Sequence, residues 1–259
     1  MAFSVPSGKV VLRLLLVFWA LVFSWVLYEM QARGFPSSVL EDGGGVNVAV
    51  SSHAISFEPT DDSTSSGLVF YPGALVDPEA YVPLARQVAE AGHKVVIVKV
   101  PFRLDLFGWQ WEDVVARTEA VTAGDADRTA WVVGGHSRGG RMAVRFVSEH
   151  PEAFDGLLLV GTSHPRETDL SDSPLDVVKV YGSEDGLASP EEVRAFARNL
   201  PDHARFVEVA GGNHRQFGYY GWQLGDGEAR IDREAQRERT AEPVLEQLSR
   251  VARAGGGRP

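Results

Sequence analysis

The chain has 259 residues, 44% hydrophobic and 23% charged, with no cysteine and a formal net charge of −10. The lack of cysteine excludes disulfides, thiolate metal sites and cysteine nucleophiles. The acidic balance excludes a general nucleic-acid binder, which carries a basic stripe, and the composition is that of a folded globular chain.

Residues 10–28 read VVLRLLLVFWALVFSWVLY, with Arg13 as the one charge. At about 1.5 Å per residue this run crosses a bilayer core if Arg13 snorkels. Trp19 and Trp25 lie within it and Tyr28 sits at its outer end, where an interfacial ring is favoured. A cleaved signal wants a shorter run and a small-x-small exit; here Met30 occupies a position where a small residue is expected. Residues 1–34 therefore read as a membrane anchor in preference to a signal segment. Lys9 and Arg13 precede the span's centre, and Glu29, Arg33, Glu41 and Asp42 follow it. The positive-inside rule then puts the main domain on the extracytoplasmic side.

Residues 35–45 are rich in Gly, Ser and Pro and read as a linker. Residues 46–253 suit one α/β domain, with 254–259 as a frayed tail. Alternating runs at 46–50 and 54–58 predict an antiparallel hairpin, and 61–66 a polar turn. Strands are then expected at 67–71, 94–100, 129–134, 156–160, 176–181 and 205–209. Helices are expected at 78–91, 111–123, 139–150, 190–199 and 230–252. Continuous apolar strands alternating with amphipathic helices mean a mostly parallel sheet covered on both faces. Sites in such sheets lie at the carboxyl ends of strands. The connection from 160 to 176 leaves no room for a helical lid, so an open, shallow site is expected.

The strand ending at Val133 runs into Gly134-Gly135-His136-Ser137-Arg138-Gly139-Gly140 and then a helix. Gly135, Ser137 and Gly139 fill the G-x-S-x-G pattern, in which the serine sits on a sharp, strained strand-to-helix turn. The helix N-terminus behind it presents N–H groups to a developing oxyanion. Of seven histidines, His214 follows the last strand on the correct edge and is the candidate base. His53, His93, His150 and His203 read as surface residues, His136 as a packed one, and His164 as a residue that lines the site. Asp185 follows the penultimate strand and completes the order Ser137, Asp185, His214. Glu184 is its rival; Asp185 is preferred because Gly186 permits a tight turn. The oxyanion donors are expected from Arg138 and from the loop at 72–75. Pro72 has no N–H, which leaves Gly73, Ala74 or Leu75, with Ala74 favoured. Arg103 and Arg138 could each select an anionic substrate or lie folded beside a surface acid. No His/Asp/Glu cluster has metal-ligand spacing, so neither metal nor cofactor is expected.

These residues resemble the α/β-hydrolase superfamily. More narrowly, YPGALVDPEAY (71–81), GHSRGG (135–140), YGSEDGLAS (181–189) and GGNHRQFGYYG (211–221) resemble small, lid-less bacterial and archaeal α/β hydrolases distantly similar to dienelactone hydrolase. The resemblance implies a triad of Ser137, Asp185 and His214 and a small-molecule acyl substrate. Ester, thioester or lactone hydrolysis through an acyl-enzyme is the expected reaction. Acyl transfer or other non-hydrolytic chemistry on the same fold and an inactive, membrane-tethered binding protein are the alternatives.

Overall fold

The computed structural model describes residues 8–61, 66–125 and 130–255. Residues 1–7, Thr129, most of the 61–66 turn and residues 256–259 of the predicted tail lie outside them. The described strands are β1 (Val46–Val50), β2 (Ala54–Pro59), β3 (Ser66–Tyr71), β4 (Lys94–Val98), β5 (Ala130–His136), β6 (Gly156–Val160), β7 (Asp176–Gly182) and β8 (Arg205–Val209). They form one sheet in the order β1-β2-β4-β3-β5-β6-β7-β8. β1 and β2 make the expected hairpin, β2 runs antiparallel to β4, and every other pair is parallel.

Side chains in the sheet alternate between two cores, as a period of two requires. Leu68, Phe70, Val132, Leu158, Val160 and Val178 pack under α2 (Val82–Glu90) and α6 (Arg233–Gly255). Val69, Tyr71, Val133, Leu157, Leu159 and Val177 pack on the opposite face under α3 (Gly108–Ala123) and α4 (Arg138–Glu149). With helices on both faces, every residue of β3, β5 and β6 is buried. A fully buried Val or Leu stabilises such a core by about 1.5–3 kcal/mol.

Helix boundaries differ from the sequence expectation where side-chain caps intervene. α3 begins three residues early because Gln110 Oε1 accepts the N–H groups of Leu106 and Phe107. α6 begins at Arg233 because Asp232 accepts from Ala235 N–H at 2.7 Å. The predicted 190–199 helix is a short α5 (Pro190–Ala195) followed by a 3-10 turn. Likewise 78–91 opens as a 3-10 turn, capped by Asp77, before α2. No helix lies between β6 and β7.

α1 (Gly8–Glu29) is long and apolar enough to cross a membrane, and none of its residues is buried. Its end is fixed to the domain. Glu29 O accepts Gly221 N–H at 2.7 Å, and Glu29 Oε2 accepts Trp222 N–H at 2.7 Å. Met30 is buried, and its carbonyl accepts Asp77 N–H at 2.9 Å. The 35–45 linker is a packed segment and not a slack one: Phe35, Val39 and Leu40 lie against the core. Arg86 of α2 donates to the carbonyls of Ser38, Val39, Glu41 and Gly43.

Candidate active site

Ser137 stands between β5 and α4 with φ 54° and ψ −116°. A non-glycine residue in that region costs on the order of 1–3 kcal/mol and persists only when its surroundings over-determine it. Ser137 N–H donates to Val160 O at 2.9 Å, and Ser137 O accepts Gly140 N–H at 3.1 Å. Gly135 and Gly139 are required by close approach: a Cβ on Gly135 would lie 2.6 Å from Gly139 O, and one on Gly139 would run into Tyr71 O and lie 2.6 Å from Pro72 O. The elbow thus packs backbone against backbone on both flanks of the serine.

His214 and Asp185 are both buried, on the loops after β8 and β7. His214 Nδ1 lies 2.9 Å from Asp185 Oδ2 and 3.1 Å from Oδ1. Asp185 Oδ1 also accepts the N–H groups of Leu187 and Ala188, at 2.9 and 2.7 Å, so the carboxylate is held on three sides. The other ring nitrogen, His214 Nε2, is buried with no hydrogen-bond partner among the described residues. Ser137 and His214 both line a cleft of about 260 Å³ at the carboxyl edge of the sheet. A larger cavity, of about 680 Å³, lies under residues 34–44 beside α2 and includes neither side chain.

Glu184, the rival acid, pairs with Arg230 at 3.3 Å on the surface. Gly186 serves for a different reason from the one expected. Its φ is not left-handed; a Cβ there would strike Gly225 O and lie 2.8 Å from Gly227 N. That close approach brings up Asp226, whose carboxylate accepts the N–H groups of His214 and Arg215, both at 2.9 Å. Asp226 therefore fixes the backbone of the histidine while Asp185 fixes its ring.

In the loop after β3, Gly73 N–H donates to Tyr81 Oη at 3.0 Å and Leu75 N–H to Arg103 O at 2.8 Å. Ala74 N–H has no partner among the described residues. The N–H of Arg138, first residue of α4, has no intrahelical acceptor. Behind this loop Tyr81 Oη lies 2.8 Å from His136 Nδ1. Burial raises the Tyr81 pKa, so Tyr81 stays protonated beside Nδ1. His136 is packed, as expected, with its ring 4.4 Å from that of His214. Burial, reinforced by His214, holds its pKa well below the usual histidine range, which keeps a second positive charge away from His214.

Of the two arginines singled out, Arg103 pairs with Asp77 at 2.6 Å and does not line the cleft. Arg138 lines it but is ion-paired with Asp105. His164 lines it as expected, and burial, with Arg141, Arg166, Lys179 and Arg138 adding, pushes its pKa down to about 4. His53 and His203 are exposed, whereas His93 is buried and bonded to Ser66 Oγ at 2.8 Å, contrary to its surface reading.

Below the cleft, Lys179 of β7 is fully buried and donates to His164 O at 2.7 Å and Val193 O at 3.1 Å. Burial, and then Arg166, lowers its pKa to about 7. Between pH 7 and the ordinary lysine value the unfolded chain holds a proton that the folded chain has released. Stability therefore rises with pH across that window, by at most about 1.4 kcal/mol per pH unit for one proton. Denaturant unfolding of the full chain should show this rise from pH 7 to 9, and Lys179→Met should flatten it.

Residues 67–238 match the model of the alpha/beta hydrolase family, and the chain belongs to that family. Among solved structures, an alpha-beta serine hydrolase homologue from Coxiella burnetii superposes with a TM-score of 0.58 at 16% identity. The match covers 78% of this chain and 96% of that one, and at this identity the likeness is one of fold. No curated protein matches the chain. Family and fold together support a hydrolase.

Proposed function

We propose that the chain hydrolyses carboxylic esters, thioesters or lactones through an acyl-enzyme on Ser137. The observation that carries this is the histidine. Asp185 holds one nitrogen of its ring at 2.9 Å, and the other nitrogen is left unbonded in a protein that places Ser137 on the same cleft. With Nδ1–H donated to Asp185, Nε2 carries the lone pair that can accept the Ser137 proton. The Ser137 oxygen then bonds to the acyl carbon, and the carbonyl π pair moves onto its oxygen. That oxyanion is met by the N–H groups of Ala74 and Arg138. Collapse expels the alcohol, thiol or ring oxygen, which takes the proton from His214. Water, deprotonated by the same imidazole, repeats the sequence and frees the acid. A panel of short acyl esters, assayed on the full chain in detergent with Ser137→Ala as control, tests the reading. No ester turned over above that control would overturn it.

The cleft also suggests which esters. Arg138, Arg141 and Arg166 line it and no Asp or Glu does. Arg138 is already paired, but Arg141 has no ion-pair partner among the described residues. Arg141 is thus the candidate to receive a carboxylate or phosphate on the acyl or leaving group. One charge-assisted hydrogen bond is worth about 1.5–3 kcal/mol, or roughly ten-fold in KM or more. Arg141→Ala is expected to raise KM by that factor for a carboxylate-bearing ester and to leave its neutral isostere within about two-fold. Equal effects on both would remove the assignment.

The same reading takes α1 as a membrane anchor, with Lys9 and Arg13 on the cytoplasmic side and the hydrolase domain outside.

A further inference from the structure

Among the described residues outside α1, the exposed large apolar side chains other than Val50 are Phe102, Leu106, Phe107, Trp109, Trp222 and Leu224. Five lie on two loops at the carboxyl edge of the sheet, after β4 and after His214, and Trp109 stands in the first turn of α3, directly after the first loop. Phe102 is 79% exposed on a left-handed backbone (φ 53°), and Leu224 is 78% exposed. Phe107 and Trp109 stack, with Phe102 edge-on to Trp109. A monomer surface seldom carries so concentrated an apolar patch without something to receive it.

Contacts with the end of α1 say what receives it. Trp25 of α1 lies against Trp222, centroids 5.3 Å apart, so one loop continues directly from the apolar surface of the helix. Arg103, at the root of the other loop, reaches Gln31 Oε1 at 3.5 Å, just past the end of α1. Glu29 and Met30 are bonded to the loops that carry Trp222 and Ala74. The apolar helix therefore leaves the domain at the edge where both loops stand. That edge is also the mouth of the cleft. Asp105, within the first loop, is paired with Arg138 beside Ser137. Gly225, next to Leu224, approaches Leu187, which lines the cleft.

We propose that this rim is a second membrane contact: the aromatic loops rest in the lipid interface on either side of the cleft, which opens against the bilayer. The occupant is the headgroup and upper acyl region, where Trp rings are favoured and Phe and Leu side chains bury into the acyl boundary. The inference rests on reading α1 as the anchor, and the substrate reached through such a mouth is an ester carried at the lipid surface.

The chain has no cysteine, so a single introduced one is labelled uniquely. Phe107→Cys, Trp109→Cys and Leu224→Cys are made in the full chain, with Leu16→Cys in α1 and Arg253→Cys at the opposite end of the domain as references. Each carries an environment-sensitive fluorophore in nanodiscs of phosphatidylcholine and phosphatidylglycerol. Brominated lipid is expected to quench labels 107, 109 and 224 several-fold more than aqueous iodide does, as for 16, with the reverse at 253. If the three rim labels behave like 253 while 16 stays lipid-quenched, the anchor stands and the rim contact is overturned. If 16 is quenched by iodide, the anchor reading itself has failed. Rim labels shielded from both quenchers would mean a second copy or another protein covers the patch, which also overturns the proposal.

Discussion

Replacing Ser137 with alanine is expected to lower kcat for any ester the chain hydrolyses by at least about 10⁴-fold, with the fold intact. The size comes from the chemistry: without the hydroxyl no acyl-enzyme forms, and only binding and the oxyanion donors remain, which leave a residual of about 10³–10⁴ over water. Unchanged stability comes from the structure. Ser137 Oγ makes no hydrogen bond among the described residues, and alanine keeps the same Cβ at φ 54°. Thermal unfolding should shift by no more than about 0.5 kcal/mol equivalent. Labelling by a fluorophosphonate should vanish in parallel with turnover. Retained turnover, or a variant that fails to fold, would contradict the assigned role.

Asp185→Asn should cost about 10⁴-fold in kcat for a subtler reason. Asn Oδ1 can keep the bonds to Leu187 and Ala188, now 2.9 and 2.7 Å. That turns the amide NH₂ toward His214 Nδ1, which must then accept. The ring proton moves to Nε2, and the imidazole can no longer take a proton from Ser137. The expected signature is a large fall in kcat with KM nearly unchanged, because the carboxylate is buried behind the histidine and touches no substrate. Loss in KM alone would mean that Asp185 acts on binding. Glu184→Gln, on the surface beside Arg230, should do neither.

Much of this arrangement is legible in the sequence because it is local. Strands such as 156–160 and 205–209 announce themselves by runs of Val, Leu and Phe bounded by turns, and the elbow by glycines two residues either side of Ser137. The order of acid and base comes from which loops a parallel sheet exposes at one edge. What stays hidden depends on contacts between distant segments. Tyr81 reaches His136 across 55 residues and Asp226 caps the backbone of His214 from 12 away; neither pairing leaves a spacing to read. Arginines are the clearest case. Arg103 follows a strand at the active edge yet turns to Asp77, while Arg141, one turn into α4, points into the cleft. A long side chain's destination depends on which groups lie near it in space, and spacing along the chain does not show them. The burial of His93 is illegible for the same reason, since its partner Ser66 opens β3, 27 residues earlier.

Arg86 has a mechanical consequence. By gripping four carbonyls between residues 38 and 43 it removes the slack from the segment that joins helix to body. A body on a loose leash would sweep a hemisphere and meet solutes throughout that volume. On the proposed anchoring of α1, a body clasped at its stalk turns only as the helix turns, its reach is set by lateral diffusion, and the substrates proposed for it are those that travel in the same two dimensions.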